Sequence, residues 1–436
     1  MSERDNAPGD DTHHDEAHYD ETHYDDAERA DPDAREASLF ARLREQLAQA
    51  LPRTAGLREH LGSVDPDAIR SRVDLAKLPI LRKSALMERQ RADPPFGGFL
   101  SEGARPPRLF VSPGPIREPQ PSGADPYRSA RALFAAGFRE GDVIVNCFGY
   151  HGTPGGFILD EGARALGCSV YPAGPGNTEA TVAAMRAFGA RGYVGTPDFL
   201  KALLDRAEEE GEPLAVDRAL VSGGALFPAM REGYAARGVR VMQCLATAEL
   251  GVVAFESASG DTVHPGMVVN EGMIVEIVVP GTGDPVPDGE VGEIVVTPLL
   301  PGWPVVRLAT GDMTRALSGP APCGRTNMRI QGWMGRADQR TKVRGMFVDP
   351  AQVAALRARF PQIARARLVV SREGEGKGGE GDAMELRVVA GEAGPVDTDA
   401  LEASMREVLG LRGTARVVDA LPGDGVVIED RRDYEA

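Results

Sequence analysis

The pattern of apolar and polar residues changes its period repeatedly between Tyr127 and Leu300. Stretches with apolar residues three or four positions apart, typical of helices, alternate with short apolar runs typical of buried strands. The predicted strands are GDVIVNCFG, CSVYPAG, GYVGTP, RALVSGG and VRVMQCLA, and the helices between them include ILDEGARALG, TVAAMRAFGA and FLKALLDRAEEEG. This alternation predicts an α/β fold with a mainly parallel sheet covered by helices on both faces.

Turns that contain glycine or proline follow several of these predicted strands. They lie at Gly149, Gly174, Thr196-Pro197 and Ser222-Gly223-Gly224. Open α/β sheets bind their ligands at the C-terminal ends of the strands, so we expect a ligand site at this edge.

The pattern becomes β-rich after Glu249 and changes again near Arg336. The stretch EGMIVEIVVPGTGDPVPDGEVGEIVVTPL contains two alternating strands joined by a turn, which predicts a hairpin-like unit. Beyond Arg336, the helices QVAALRARF and LEASMREVLG alternate with the strands ARARLVVS, AMELRVVAG and TARVVDAL. We therefore predict a large N-terminal domain over residues 36–335, with a β-rich subdomain, and a small, mobile α+β domain over residues 336–436.

Residues 1–35 have a different composition from the rest of the chain. They contain almost no large aliphatic side chains and many Asp, Glu and His residues, so we predict a disordered tail. Its histidines at positions 14, 18 and 23 stand among carboxylates, an arrangement that is compatible with metal capture. A solvated low-complexity tail is the favoured interpretation.

Composition restricts the class of protein. A chain of 436 residues with 42% hydrophobic and 26% charged residues is ordinary for a globular protein of two or three domains. The net charge of −16 argues against nucleic acid as a partner. No apolar run reaches the ~18 residues of a membrane span, and the acidic start lacks the apolar region of a signal peptide. The 4 cysteines are widely spaced, so we expect reduced thiols and a cytoplasmic location.

Two short polar signatures lie within Trp303–Pro350. The first runs from Arg307 to Asp312 (RLATGD), and the second from Gly335 to Asp338 (GRAD). A carboxylate accepts two hydrogen bonds at once, so Asp312 suits a pair of ligand hydroxyls. The second signature offers a guanidinium for anions and a charged pivot near the predicted domain boundary. Each signature by itself is also compatible with an ordinary turn between strands.

Nine motifs, taken together and in order, resemble the phenylacetate–CoA ligase group of adenylate-forming enzymes from about residue 37 onward. They are DLAKLP at 74–79, AGFREGD at 136–142, NCFGYH at 146–151, PAGPGNTE at 172–179, VGTP at 194–197, ATAE at 246–249, ATGD at 309–312, PCGRT at 322–326 and GRAD at 335–338. In that family a carboxylic acid attacks the α-phosphate of ATP to give an acyl-adenylate, and CoA then displaces AMP. The resemblance implies ATP, Mg²⁺ and CoA as cofactors and a homodimer.

The resemblance also implies roles for individual residues. Asp312 would hold the ribose hydroxyls, Arg336 the ribose or phosphate, Glu249 the Mg²⁺ ion, and Asp338 the hinge of the small domain. The other nucleotide-binding positions would be Ser222, Gly223, Gly224, Ala246 and Thr247, and the acyl pocket would include Phe148, Tyr150 and His151. Structural alternatives remain for several of them: Phe148 and Tyr150 as core, Glu249 as a carboxylate at a helix start, and Asp312 as a turn residue.

The sequence departs from the family pattern at several positions. The segment Ser112–Pro119 replaces a flexible phosphate loop, and its prolines lack N–H donors, which leaves Arg117 as its only positive charge. Leu245 replaces an aromatic residue, Gly224 an acidic residue, and Val426 the C-terminal lysine that contacts the α-phosphate. Loss of one such contact costs ~3–4 kcal/mol, so we expect slow adenylation unless Lys342, Arg344 or Arg431 substitutes.

Two further expectations follow from these departures. Only Cys323 and His264 remain of a zinc-binding turn found in relatives, so we expect no tight structural zinc. Besides a ligase, the chain is compatible with a degenerate homologue that binds nucleotide or acyl-CoA. It is also compatible with an acyl-transfer enzyme that uses a preformed adenylate or thioester.

Overall fold

The computed structural model describes most of the chain. The described ranges are 22–112, 115–224, 226–260, 262–337, 341–344, 346–372, 382–391, 394–422 and 427–432. The predicted hinge Asp338 and the departure at Val426 lie outside these residues, as do His14 and His18.

The described residues form helices and strands in the alternating order that the sequence predicts. The helices are α1 (Pro32–Ala50), α2 (Ala55–Leu61), α3 (Arg72–Leu75), α4 (Lys83–Ala92), α5 (Ser129–Ala135), α6 (Gly155–Ala165), α7 (Thr178–Phe188), α8 (Pro197–Glu209), α9 (Pro228–Ala236), α10 (Pro350–Arg359) and α11 (Thr398–Leu409). The strands of the first half are β1 (Leu81–Arg82), β2 (Leu109–Val111), β3 (Arg117–Pro119), β4 (Val143–Asn146), β5 (Ser169–Tyr171), β6 (Gly192–Gly195), β7 (Arg218–Val221), β8 (Arg240–Thr247), β9 (Gly251–Phe255), β10 (Ala258–Ser259) and β11 (Thr262–Val263). Those of the second half are β12 (Met267–Val269), β13 (Met273–Val278), β14 (Val291–Pro298), β15 (Leu308–Leu317), β16 (Arg329–Ile330), β17 (Thr341–Val343), β18 (Met346–Val348), β19 (Ile363–Arg372), β20 (Asp382–Ala390), β21 (Thr414–Val417) and β22 (Ile428–Asp430).

One large sheet organises the chain up to about residue 330. Its strand order is β13-β14-β15-β16-β12-β9-β8-β7-β6-β4-β5, with β1 beside β15. The strands from β5 to β8 are all parallel, whereas those from β8 to β13 pair antiparallel. The predicted parallel sheet and the predicted hairpin, which is β13 with β14, are both confirmed.

Helices cover both faces of the parallel strands because neighbouring strand residues point to opposite sides. Val145 and Val221 belong to a core shared with α7, α8 and α9. Their neighbours Ile144 and Leu220 belong to a different core shared with α5 and α6. Burial on both faces explains why these strands appear in the sequence as continuous apolar runs.

The C-terminal residues have a core of their own. Strands β19 to β22 form a four-stranded sheet in the order β21-β20-β19-β22. This sheet packs with α10 and α11 around buried apolar residues that run from Val343 to Ile428. An α+β unit of this size fits the predicted small domain, while its boundary at Arg336 stays a prediction.

The N-terminal segment corrects one prediction. Of the tail expected to be disordered, residues 22–35 are structured: Asp26–Arg29 form a 3-10 helix, and α1 begins at Pro32 with Asp31 as its cap. Glu28 is only 2% exposed and accepts two hydrogen bonds of 3.0 Å from the buried Arg325. A buried ion pair, rather than apolar burial, fixes this segment, and composition does not reveal such a contact.

None of the described helices combines the length and the apolar character that crossing a bilayer requires. The four cysteines are free thiols, and Cys147, Cys168 and Cys244 are buried.

Candidate active site

The predicted nucleotide-binding residues of the parallel sheet lie at two adjacent strand ends. Ser222, Gly223 and Gly224 follow β7, and the Ser222 hydroxyl donates to the Cys244 carbonyl of β8 over 2.8 Å. Gly223 has a φ of 70°, and a Cβ atom on Gly224 would lie 3.3 Å from the Pro197 side chain. This strand edge is therefore formed by residues with small side chains or none, and Gly224 packs closely against Pro197.

Ala246 and Thr247 end β8, and Glu249 lies in the turn to β9. The Glu249 carboxylate is buried and pairs with the Lys83 ammonium, whose Nζ lies 2.8 Å from one oxygen and 3.0 Å from the other. Burial by itself would raise the pKa of Glu249, but the charge and hydrogen bonds of Lys83 outweigh it and lower that pKa. Sequence reasoning missed Lys83, the first residue of α4.

A second buried carboxyl group, Glu118, lies beside this pair. Glu118 is 3% exposed, and neither of its oxygens has a hydrogen-bond partner among the described residues. Burial, together with the charge of Glu249, raises its pKa to about 8. Mg²⁺ in phosphate-binding sites usually takes one or two carboxylates from the protein, so the donor chemistry of Glu118 and Glu249 fits this ion. Sequence reasoning missed Glu118.

The described residues on the two sides of the proline-rich turn form a pair of short strands. Strands β2 and β3 pair antiparallel, and the Ser112 amide donates to the Ile116 carbonyl over 2.9 Å. Arg117, its expected positive charge, exchanges hydrogen bonds with Gln90: the Gln90 amide contacts the Arg117 backbone, and the guanidinium donates to the Gln90 carbonyl over 3.1 Å. The loop is thus tied to α4.

The two polar signatures meet at Asp312. Oδ1 of this carboxylate, 8% exposed in β15, accepts a 2.9 Å bond from Arg336 and a 3.0 Å bond from the Trp333 ring. Backbone bonds from Met313 to Gly335 and from Ala337 to Gly311 join the two segments. The structure therefore brings together residues 24 positions apart, and Trp333 is a contact that sequence reasoning missed.

The second oxygen of Asp312 is the one available to a ligand. Both hydrogen bonds reach Oδ1, and within the described part of the chain no residue donates to Oδ2. The adjoining turn is fixed by Gly311, whose amide donates to the buried Glu293 over 3.2 Å, and by Thr310, whose hydroxyl accepts from the Asp312 amide. A carboxylate held by one oxygen and free at the other fits a ribose hydroxyl.

The predicted acyl-pocket residues follow β4, three strands from β8, which is about 14 Å across the sheet. Phe148 is half-buried and packs against the core under α5 and α6. The Tyr150 hydroxyl donates to Asp160 over 2.8 Å, its ring centroid lies 5.0 Å from that of Phe157, and burial raises its pKa. His151 is exposed. These three residues share the strand edge with Ser222 and Glu249, and their role in an acyl pocket stays a prediction.

Two of the three residues proposed to replace the C-terminal lysine, Arg344 and Arg431, have partners within the C-terminal residues. The Arg344 guanidinium donates to the Asp382 carbonyl, and Arg431 pairs with Glu429 over 2.7 Å. Lys342 lies in β17. Neither arginine is aligned with the sheet edge by these contacts.

Cys323 and His264, the two remnants of the zinc turn, have other partners. Cys323 contacts the Arg325 guanidinium, and His264 lies 2.9 Å from the Ser259 hydroxyl. Burial would raise the pKa of Cys323, but hydrogen bonds from Ser257 and Arg325 lower it. Across the residues that the structure describes, no three metal-binding side chains cluster. The expectation of no tight zinc stays a prediction.

Comparison with known proteins agrees with this geometry. The family described as AMP-binding enzyme matches residues 159–298. The phenylacetate-coenzyme A ligase of Thermus thermophilus is 30% identical over 351 residues, which cover 76% of this chain and 77% of that protein. The Escherichia coli (strain K12) enzyme of the same name is 30% identical over 368 residues, 80% of this chain and 82% of that protein.

A solved structure shares the fold over almost the whole chain. The crystal structure of 2-hydroxyisobutyryl-CoA ligase in complex with 2-HIB-AMP and CoA gives a TM-score of 0.76 at 23% identity and covers 95% of both chains. At 30% identity over more than three quarters of the chain, this protein belongs to the phenylacetate–coenzyme A ligase family of AMP-binding, acid–thiol ligase enzymes.

Proposed function

We propose that this protein is an ATP-dependent, AMP-forming ligase that joins an aryl or small acyl acid to CoA through an acyl-adenylate. The observation that carries the proposal is the contact of Asp312 with Arg336, which leaves one carboxylate oxygen for a ribose hydroxyl. Asp312 lies in the same large sheet as the β8–β9 turn, which supports a single site for nucleotide and acid.

Each group has a distinct task in this proposal. Asp312 accepts from the ribose, and Arg336 contacts the ribose or phosphate while orienting the Asp312 carboxylate. The backbone around Gly223 and Thr247 borders the nucleotide, and the aromatic side chains of Phe148 and Tyr150 line the acid pocket with His151. Glu249 provides carboxylate oxygens for Mg²⁺, whose charge offsets that of the phosphates, and the carboxyl group of Glu118 lies nearby.

Lys83 adds a task that the family motifs did not suggest. Its ammonium compensates the buried Glu249 charge, so the carboxylate stays ionised in a site that otherwise favours the neutral acid. Ionised Glu249 is the form that binds a cation. Lys83 therefore maintains the ligand that the proposed mechanism needs.

The finer parts of the proposal concern residues outside the described ranges. Asp338 is the proposed hinge about which the domain 336–436 rotates between half-reactions. Val426 stands where the family's lysine contacts the α-phosphate, so adenylation is proposed to be slowed by roughly 10²–10³ relative to a lysine-bearing enzyme. Thioester formation does not need that lysine. We also propose a cytoplasmic homodimer, which analytical ultracentrifugation tests.

A nucleotide-binding measurement tests whether the Asp312 carboxylate contacts the ribose. Asp312→Asn removes the charge that accepts from the ribose, and we expect AMP affinity, measured by calorimetry, to fall roughly tenfold or more. Asp284→Asn makes the same charge change at an exposed loop position and should bind AMP like the wild type. Equal AMP affinity in the wild type and Asp312→Asn would refute the ribose contact.

A second candidate function is a homologue that binds nucleotide or acyl-CoA without efficient adenylation, or one that transfers the acyl group from a preformed adenylate. The observation that favours it is the engagement of Arg344 and Arg431, which leaves neither as an evident replacement for the lysine. Release of AMP from ATP, CoA and a panel of aryl acids distinguishes these readings. A large rate gain in Val426→Lys indicates a slowed ligase. Turnover only with a synthetic acyl-adenylate indicates the transfer enzyme.

A further inference from the structure

A cavity of about 440 Å³ lies away from the candidate active site, between α1 and the loop that precedes α5. Its charged lining consists of four arginines and two carboxylates: Arg35, Arg42, Arg128, Arg131, Asp125 and Glu271. None of the residues assigned above to nucleotide, acid or metal lines it. Its lining is therefore basic in a chain whose net charge is −16.

Two of the arginines and both carboxylates are already matched. Arg35 pairs with Glu271 over 3.1 Å, and Arg131 pairs with Asp25 of the N-terminal segment. Asp125 accepts hydrogen bonds from the Ser129 and Ala130 amides at the start of α5, over 2.9 and 3.0 Å. The Asp125 charge also favours the charged form of Arg128, although no hydrogen bond joins the two side chains.

Arg42 has no carboxylate partner among the described residues, and Arg128 is not hydrogen-bonded to one. Arg128 is 9% exposed and donates one bond to the Leu250 carbonyl, and its Nε has no partner within the described residues. Burial lowers its pKa to about 10, which still leaves the guanidinium charged at neutral pH. Arg42 is exposed on α1, and its guanidinium makes no hydrogen bond or ion pair with a described residue. Buried guanidinium groups are normally paired with an anion.

The two side chains converge at Gly272. A Cβ atom there would lie 3.6 Å from Cδ of Arg128 and 3.8 Å from Nη2 of Arg42. The absence of a side chain at this position keeps the space between the two arginines open. Two arginine side chains that border one space provide the kind of donors with which proteins bind phosphate and carboxylate oxygens.

We propose that this cavity binds a small oxyanion, the phosphate or carboxylate group of a small molecule, between Arg42 and Arg128. Such an anion would accept hydrogen bonds from guanidinium groups that donate to no described carboxylate. It would also contact a residue joined to the turn of Glu249, because Arg128 donates to Leu250 and its own carbonyl accepts a 2.6 Å bond from Asn270.

Calorimetric titration of the full-length protein with inorganic phosphate and, separately, with succinate at constant ionic strength tests the site. We expect one of the two anions to bind at concentrations on the order of 10 mM or below. Arg42→Gln should weaken that binding roughly tenfold, because it removes a charged donor without disturbing a buried contact. Arg44→Gln, on the same helix but outside the lining, is the matched control and should bind like the wild type.

The two titrations distinguish the possible ligands of this cavity. Phosphate binding that depends on Arg42 identifies a phosphate-bearing ligand, and succinate binding that depends on Arg42 identifies a carboxylate. Arg128→Gln gives a second measurement if it folds, and the exposed Arg42 keeps the test decisive if it does not. Binding of neither anion, or equal binding by the wild type and Arg42→Gln, overturns the proposal. The titration needs no turnover, so its failure leaves the ligase assignment untouched.

Discussion

At the scale of single residues, the candidate site combines two buried carboxyl groups, Glu118 and Glu249, with the half-buried ammonium of Lys83. Lys83 holds Glu249 in its charged form, while Glu118, close to both, has a pKa raised to about 8 by burial and by the Glu249 charge. A neutral carboxylic acid next to a charged one avoids repulsion between two buried carboxylates. Near neutral pH, Glu118 is therefore protonated in the folded protein and ionised in the unfolded chain.

This proton makes stability depend on pH. An unfolded glutamate ionises near its model value of 4.5, whereas folded Glu118 keeps its proton up to about pH 8. Stability from this group is fully present below pH 4.5 and is lost as the pH rises to 8, by at most about 1.4 kcal/mol per pH unit. We expect Glu118→Gln to flatten that decline in urea unfolding measured from pH 5 to pH 8. The exposed Glu102→Gln is the control, and a Glu118→Gln slope equal to that of the wild type would contradict the prediction.

Some site residues were predictable and others were not, for a physical reason. Asp312, Arg336 and Glu249 stand in short motifs at strand ends, where local sequence marks both the turn and the polar group. Lys83 and Glu118 are marked by no local pattern, since Lys83 meets Glu249 across 166 residues and Glu118 sits between prolines of a hairpin. Contacts of this kind depend on the order of the strands in the sheet. The spacing of apolar residues along the sequence does not reveal that order.

At the scale of elements, β15 depends on Arg307 at its entrance. This residue is 2% exposed, has a φ of 50° and pairs with the buried Glu276 over 3.0 Å. Its guanidinium also donates to the carbonyls of Ala76, Leu78 and Gly283. Arg307 thereby joins the N-terminal helices to the hairpin β13–β14 and sets where β15 begins, five residues before Asp312.

Replacing Arg307 should destabilise the whole β-rich part of the sheet. Arg307→Met leaves Glu276 buried without its partner, and breaking one member of a buried ion pair costs about 3–5 kcal/mol. Chemical denaturation followed by circular dichroism measures this change. Arg315→Met, further along the same strand and half-buried, should change the free energy of unfolding by less than about 0.5 kcal/mol. A similar small effect at both positions would refute this role for Arg307.

The elements themselves were the most predictable level of the fold. The apolar runs became β4 to β8, and the helical periods became the helices between them, because the strands inside this part of the sheet are buried on both faces. The pairing of β1 with β15 was not predictable, since β1 has only two residues, Leu81 and Arg82. That pairing nevertheless positions Lys83, which follows β1 directly.

At the scale of the whole molecule, residues 22–31 connect the N-terminal segment to the β-rich part of the large sheet. Glu28 pairs with Arg325, the Thr326 amide donates to the Glu28 carbonyl over 3.0 Å, and Tyr24 packs edge-on against Phe134 at 5.8 Å. A segment with almost no aliphatic side chains is thus ordered by polar contacts with distant residues.

Removing this segment should weaken the fold. A chain that starts at Asp31 keeps the cap of α1 but loses Glu28, so the buried Arg325 loses its carboxylate partner. We expect it to be about 3–5 kcal/mol less stable than a chain that starts at Thr22. Urea unfolding of the two truncated proteins measures the difference directly. Equal stability would show that the Glu28–Arg325 pair contributes nothing.

The same contacts delay folding of the newly made chain on the ribosome. Glu28 leaves the tunnel 297 residues before its partner Arg325, and β1 likewise precedes β15 by more than half of the chain. At translation rates of about 5–20 residues per second, that interval is roughly 15–60 s. During it, the apolar faces of α1 to α4 have no β-rich surface to cover them. Apolar surface that is exposed in this way favours aggregation until the β-rich strands have been made.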